Sequence, residues 1–414
     1  MSAIPLRERL GPLVERDYRL LFSATTITTL GDAIAGIALA FAVLDLTGRP
    51  TDLGIVLAVR QATNAAVLLF GGVLSDRLPR NRVLVGASLV QGAAQAATAS
   101  FVLSGRATIA ILVALQALYG AGNGLVIPAE VGLVPQTVSP ARLQQANALQ
   151  GLSRNLVFVL GPAIGGVIVV AGSPGTALAI DACSFVVCAA LMSRIRIPAR
   201  TDLLPDSKFL HELREGWREF VGRTWLWSTV LLFGLGNVFF MFWSVLGPAE
   251  ARARLGGAGA WATILAVGGI GAVVGGLVAL RHRPSRPLVA CVTWPLLWTL
   301  QLVALALHAP TWLIATAAFF GGLGLAVHLT LWFTVFQREV PERAQSRVSS
   351  YDALGSFVLT PVGTAIAGPV AAAIGTSNAL WLAAGAILTL NTIMLLIPAV
   401  WRIGAETAPT TITV

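Results

Sequence analysis

GGVLSDRLPRNR, residues 71–82, stands between two long apolar runs and places one acid and three arginines where the chain must turn. Asp76 follows Gly72 by four residues, and Arg77, Arg80 and Arg82 come directly after it. A basic loop on the inner face of a membrane accounts for the arginines by itself. It gives no reason for an acid held between Gly72 and Arg77.

Composition sets the medium. The 414 residues are 56% hydrophobic and only 11% charged, with a mean hydropathy of +0.79. Soluble chains carry about 25% charged residues, so this one belongs in lipid, with room for about a dozen spans of roughly 20 residues. The net charge of +9 sits mostly between apolar runs, which points to orientation in the bilayer and not to nucleic acid. Cys183, Cys188 and Cys291 lie inside apolar runs and read as packing residues. The opening residues MSAIPLRERLGPLVERDYR are too charged for a cleaved signal peptide, so the first span is expected to insert and remain.

Spans are expected at about 19–45, 53–75, 83–104, 107–129, 147–171, 176–195, 225–249, 260–281, 287–307, 312–336, 350–372 and 378–401. The expected fold is an all-α integral membrane protein of twelve transmembrane helices in two six-helix bundles. These occupy residues 1–195 and 225–402, with a linker at 196–224 and a tail at 403–414. Of the 28 Lys and Arg, four (Arg49, Arg106, Arg252, Arg254) fall on one side and two (Arg60, Arg154) inside spans. The other 22 share the side of the N-terminus, which puts both termini in the cytoplasm. In the linker, Phe209, Leu213, Trp217 and Phe220 recur at helical spacing among charges, as in an amphipathic helix on the inner membrane surface.

The two halves echo each other. GGLVALRHRPSR at 275–286 matches the first stretch, with Leu280 in place of the acid, and SPAR at 139–142 matches VPER at 340–343. Both offsets are about 200 residues, the mark of a tandem repeat. A channel or a membrane enzyme has no need of one.

The stretch at 71–82 resembles the signature loop of the major facilitator superfamily, G-x-x-x-D-R-x-G-R-R/K, with Pro79 and Asn81 departing from it. Gly161, Pro162, Gly165 and Gly166 in span five resemble the G-P-x-x-G-G motif of its drug–proton antiporter branch. Pro162 bends a helix and the glycines admit a close neighbour, whatever the family. RDYRLLFSATTITTLGDAIA, PARLQQANAL and REVPERAQSRVSSYDALGSF are similar to bacterial enterobactin-exporter-like and macrolide-efflux-like carriers. The resemblance implies a loop that switches conformation, with Glu130 near its bases. It also implies an arginine four residues before Gly120, where this chain has Gln116.

Ionisable residues inside spans are costly and mark candidate sites. Asp32 lies about 13 residues into span one and Arg60 about seven into span two, a similar depth at 1.5 Å per residue. The pair is either a static bridge or a proton and cargo site in which Arg60 favours the ionised acid. Glu130 has Arg154 as a second candidate partner. Asp181 reads as a residue near the outer surface, in a helix-start or capping role or in transport, and His328 as a lone histidine deep in span ten, either packed and hydrogen-bonded or a further candidate proton site. Trp225, Trp227, Trp261, Trp312, Trp381 and Trp401 fall near span ends as an interfacial belt. Trp243, Trp294, Trp298 and Trp332 lie further in and are expected to wall an aromatic cavity.

No metal-ligand spacing, nucleophile elbow or Walker loop is present, so neither an enzyme nor an ATP-driven pump is expected. The expectation is a secondary transporter of the bacterial inner membrane that exports a lipophilic small molecule against protons. Its partners would be cargo, protons and the bilayer, with no cofactor; oligomeric state is not legible. The rival is a siderophore- or lipid-like metabolite carrier without proton coupling.

Overall fold

A computed structural model describes residues 11–196 and 209–404; the side chains of 69–77, 209–213, 215, 342, 343 and 346 fall outside the description. Among the described residues every regular element is helical. The first six long helices are α1 (Arg16–Thr47), α2 (Pro50–Arg77), α3 (Arg80–Leu103), α4 (Ile109–Thr137), α5 (Leu143–Ala171) and α6 (Pro174–Met192). After the linker helix α7 (Phe209–Val221) come α8 (Thr224–Glu250), α9 (Ala258–Arg281), α10 (Pro287–Thr293) and α11 (Leu297–Ala306). The chain closes with α12 (Thr311–Glu339), α13 (Glu342–Phe357), α14 (Thr360–Ile374), α15 (Thr376–Leu395) and a turn, α16 (Pro398–Trp401).

Ten of these segments are long and apolar enough to cross a membrane among the described residues. The helices α2 and α3, with 28 and 24 residues, complete twelve. Gln91 and Gln95 make α3 less apolar, and both are buried against neighbouring helices and not left in lipid.

Three details differ from the expected spans. The turn at the signature stretch is only Leu78–Pro79, because α2 runs on through Arg77 and α3 starts at Arg80. Pro79 has φ −57°, an ordinary proline angle, so the glycine usual at this position is not required. Span nine is broken between α10 and α11 by a 3-10 turn at Trp294–Leu296 that contains Pro295. Span eleven begins at Glu342 and not at 350, and is interrupted after Phe357 ahead of Pro361. The stretch from Ser349 to Asp352 is therefore mid-helix and not the start of span eleven. Asp76, Gly72 and Arg77 have side chains outside the described residues.

The helices form two compact units, Met1–Leu204 with Ala251–Ala266, and Pro205–Glu250 with Val267–Val414. In the first, α1 packs on α5 and α6, α2 on α4, and α3 on α4 and α6. Residues 251–266, expected with the second half, group with the first. There Arg252 Nε lies 2.8 Å from Asp45 Oδ1, and Gly166 of α5 abuts Ala262. In the second unit α8 packs on α14 and α15, and α11 on α12. The amphipathic α7 docks on α13, with Phe220 buried 5.9 Å from the Tyr351 ring and Trp217 left half exposed.

Candidate functional site

Asp32, Arg60 and Tyr119 converge from α1, α2 and α4 near the middle of each helix. Arg60 Nη2 stands 3.7 Å from Asp32 Oδ1, and the phenol of Tyr119 donates to that same oxygen. The guanidinium also lies 4.0 Å over the Tyr119 ring, a cation–π contact. Tyr119 is fully buried, whereas the Asp32 side chain is 36% exposed. Gly120 brings α4 this close, because a Cβ there would strike the Arg60 carbonyl and the Thr63 hydroxyl.

Behind this triad lies a second polar layer that sequence reading missed. Asp181 on α6 is completely buried and accepts from Gln95 Nε2 at 2.7 Å and Ser184 Oγ at 3.3 Å. It is not a helix-start residue; Ser173 caps α6, eight residues ahead of it. Gln116 donates to Gln95 Oε1 at 3.4 Å, and its own Oε1 has no partner. Where the branch resemblance implied an arginine on span four, a neutral amide joins this network, and the cation comes from Arg60 on span two. Gly31, the neighbour of Asp32, seats α1 on α6, since a Cβ there would strike Asp181 and Ser184. Tyr119 and Gln95 sit in apolar runs without a signal; in the sequence only the acid Asp181 and Gln116, standing where the resemblance implies an arginine, pointed to this layer.

At the end of the bundle that carries the signature turn, Arg80 donates to the Gly132 carbonyl of α4 and Asn81 Nδ2 donates to the Ile195 carbonyl at 3.0 Å. Arg82 is exposed. Among the described residues Glu130 forms no ion pair with a loop arginine; it shares a polar cavity of about 50 Å³ with Arg154, Thr25, Thr29 and Gln150. The G-P-x-x-G-G motif packs α5 on α1 directly after Asp32, with Gly161 against Ala33 and Gly165 3.0 Å from Ile34 Cα, built as a Cβ. Pro162 lies inside α5 between them. An apolar groove of about 310 Å³ runs between the same two helices, lined by Phe22, Leu30, Leu152, Leu156 and Leu160.

In the second unit His328 is buried, stacked 4.7 Å from the Phe233 ring, with Nδ1 2.8 Å from the Cys291 carbonyl. A carbonyl only accepts, so Nδ1 carries a proton, as in a packed, hydrogen-bonded histidine. The four tryptophans do not make one wall. Trp332 lines a cavity with His328, and Trp298 stacks on Phe240 at 4.4 Å. Trp294 meets His282 edge-on at 5.6 Å, and Trp243 is buried in α8. Of the expected belt, Trp225 and Trp261 are buried, while Trp227, Trp312, Trp381 and Trp401 are exposed.

The family model described as Major Facilitator Superfamily matches residues 21–360. The enterobactin exporter EntS of Shigella boydii serotype 18 is 26% identical over 377 residues, covering 86% of this chain and 87% of its own length. The enterobactin exporter EntS of Escherichia coli O139:H28 gives the same figures. Among solved structures, the peptide transporter POT in complex with sulfate superposes with a TM-score of 0.74 at 15% identity. That likeness covers 95% of this chain and 96% of that one, and it shows the fold.

Proposed function

Since the chain belongs to the major facilitator superfamily and is a multi-pass membrane transporter, we propose that it exports a lipophilic small molecule in exchange for protons. Asp32 is the proton site of this reading. The observation that carries it is the triad near the middle of three membrane helices, in which a partly exposed acid is bridged to Arg60 and Tyr119. An ionised carboxylate is costly at that depth unless it is paired or wetted. The bridge offsets that cost, and protonation releases it, leaving Arg60 over the Tyr119 ring. One acid then has two states that differ in charge and in its contacts to α2 and α4, as proton-driven alternating access requires.

The apolar groove between α1 and α5 begins beside the triad, at Leu30, and its volume of about 310 Å³ is at the lower end for drug-sized ligands. It supports lipophilic cargo. Export is the direction named for the enterobactin exporters. We place the protein in the bacterial inner membrane with both termini cytoplasmic, on the bias of Lys and Arg. Residues 71–82, with Arg80 and Asn81 fixed to α4 and to the end of α6, are the proposed conformational switch.

Everted membrane vesicles test this reading. Adding cargo is expected to release protons from wild-type vesicles, and Asp32→Asn to abolish that flux while cargo still binds. If Asp32→Asn with Arg60→Leu regains full proton-linked export, the pair is only structural. Gln116 favours a second reading, a siderophore- or lipid-like metabolite carried without protons, since it puts an uncharged amide where the resemblance implies an arginine. Export that persists in vesicles without a pH gradient would select it.

A further inference from the structure

The second unit holds a cavity of about 100 Å³ among α8, α12 and α13. Four aromatic side chains line it, Phe233, Trp332, Phe333 and Phe357, together with one acid, Asp352, and no lysine or arginine. The acid accepts from Trp332 Nε1 at 3.0 Å and from Ser356 Oγ at 3.4 Å. A carboxylate has about four lone-pair sites, so both neutral donors together leave capacity for a further donor. Among the described residues no cationic side chain forms an ion pair with Asp352. His328 makes no hydrogen bond or ion pair to Asp352; its Nδ1 proton is directed at the Cys291 carbonyl.

Two of the four faces are held in place before anything binds. Trp332 is braced by Trp225 at 6.1 Å and by its bond to Asp352, and Phe233 by the stacked His328. A carboxylate among fixed aromatic faces matches a cation with apolar substituents, which gains from the charge and from the ring faces together. It rejects an anion, whose charge would meet that of Asp352. The volume is well below the 300–1,000 Å³ or so of a drug-sized pocket, so it suits a head group and not a whole molecule.

We propose that this cavity is a cargo subsite for the ammonium head of a lipophilic amine, with Asp352 as the charge partner and Trp332 and Phe333 as aromatic faces. The proposal rests on the transport reading only in taking the occupant to be cargo.

Radiolabelled benzyltrimethylammonium bound to the purified full-length protein tests it, with neopentylbenzene as the uncharged isostere. Wild type is expected to prefer the cation at least about tenfold, and Asp352→Asn to lose that preference while eluting as a monodisperse species. Asp352→Glu and Asp32→Asn should keep it. Equal affinity of wild type for both probes, an undiminished preference in Asp352→Asn, or loss in Asp32→Asn would overturn the proposal. Phe333 is exposed and makes none of the acid's hydrogen bonds, so Phe333→Ala gives a second readout should Asp352→Asn not fold. It must weaken the cation at least about threefold more than the isostere, and equal weakening overturns the proposal. Absent proton flux with the preference intact would sink the proton-coupled reading and leave this one standing.

Discussion

Tyr119 donates its phenolic proton to the Asp32 oxygen that Arg60 approaches at 3.7 Å, so one oxygen on α1 answers to two other helices. A hydrogen bond to a charged group is worth about 1.5–3 kcal/mol, or roughly ten- to a hundredfold in an equilibrium. Tyr119→Phe removes that bond and keeps the ring beneath Arg60 and edge-on to Phe185. Proton-linked export should fall about tenfold at equal protein level, and Tyr119→Leu, which also removes the cation platform, should fall further. Initial rates in vesicles decide it: a Phe variant at wild-type speed takes the phenol out of the mechanism.

Asp181 has only neutral donors around it, Gln95 and Ser184. Asp181→Asn keeps an acceptor oxygen and the volume, and should unfold in detergent close to the wild-type temperature. Asp181→Leu strands buried donors at about 1–3 kcal/mol each and should unfold clearly earlier. An Asn variant as unstable as the Leu variant would mean that the acid itself is needed.

Two alanine substitutions in membrane helices should differ in sign. Gly120→Ala drives a methyl into the α2 backbone at Arg60 and should cost about 1–3 kcal/mol as overpacking, along with transport. Gly36→Ala on α1 meets nothing within 4 Å and should be neutral or stabilising by up to about 1 kcal/mol. Thermal unfolding of the two purified variants provides the comparison, and equal effects would refute the close approach of α2 and α4.

Orientation can be read by labelling single cysteines from outside intact cells. Cys183 is exposed and should first be replaced by serine, while Cys188 and Cys291 are buried. Cysteines at Leu78 and Ser285 should stay unmodified, and those at Arg49 and Ala253 should react. The reverse pattern would invert the topology.

Depth arithmetic along two spans was enough to bring Asp32 and Arg60 to one level, because helical rise is constant and charges are rare in lipid. Rotation about the helix axes is not legible that way. Tyr119 and Gln95 look like ordinary residues of apolar runs until the helices are packed. Asp181 reads as peripheral because a carboxylate seven residues into a helix can face in or out, and only Gly31 opposite it decides. The breaks at Trp294–Leu296 and after Phe357 follow prolines, which sequence marks, but a membrane helix can also run through a proline, as α5 does at Pro162.

Arg80 fills the space that a side chain on Gly132 would take, so α4 borrows its side chain there from the first residue of α3, directly after the turn. The turn is two residues long and one is proline, which leaves no slack. It therefore works as a taut tether. In the proposed switch, a tilt of α4 at Gly132 would pull on α2 and α3 at once, and a push on the turn would reach the helix that carries Tyr119. Lengthening the turn by a few glycines would keep every contact of the triad and cut the line along which force travels.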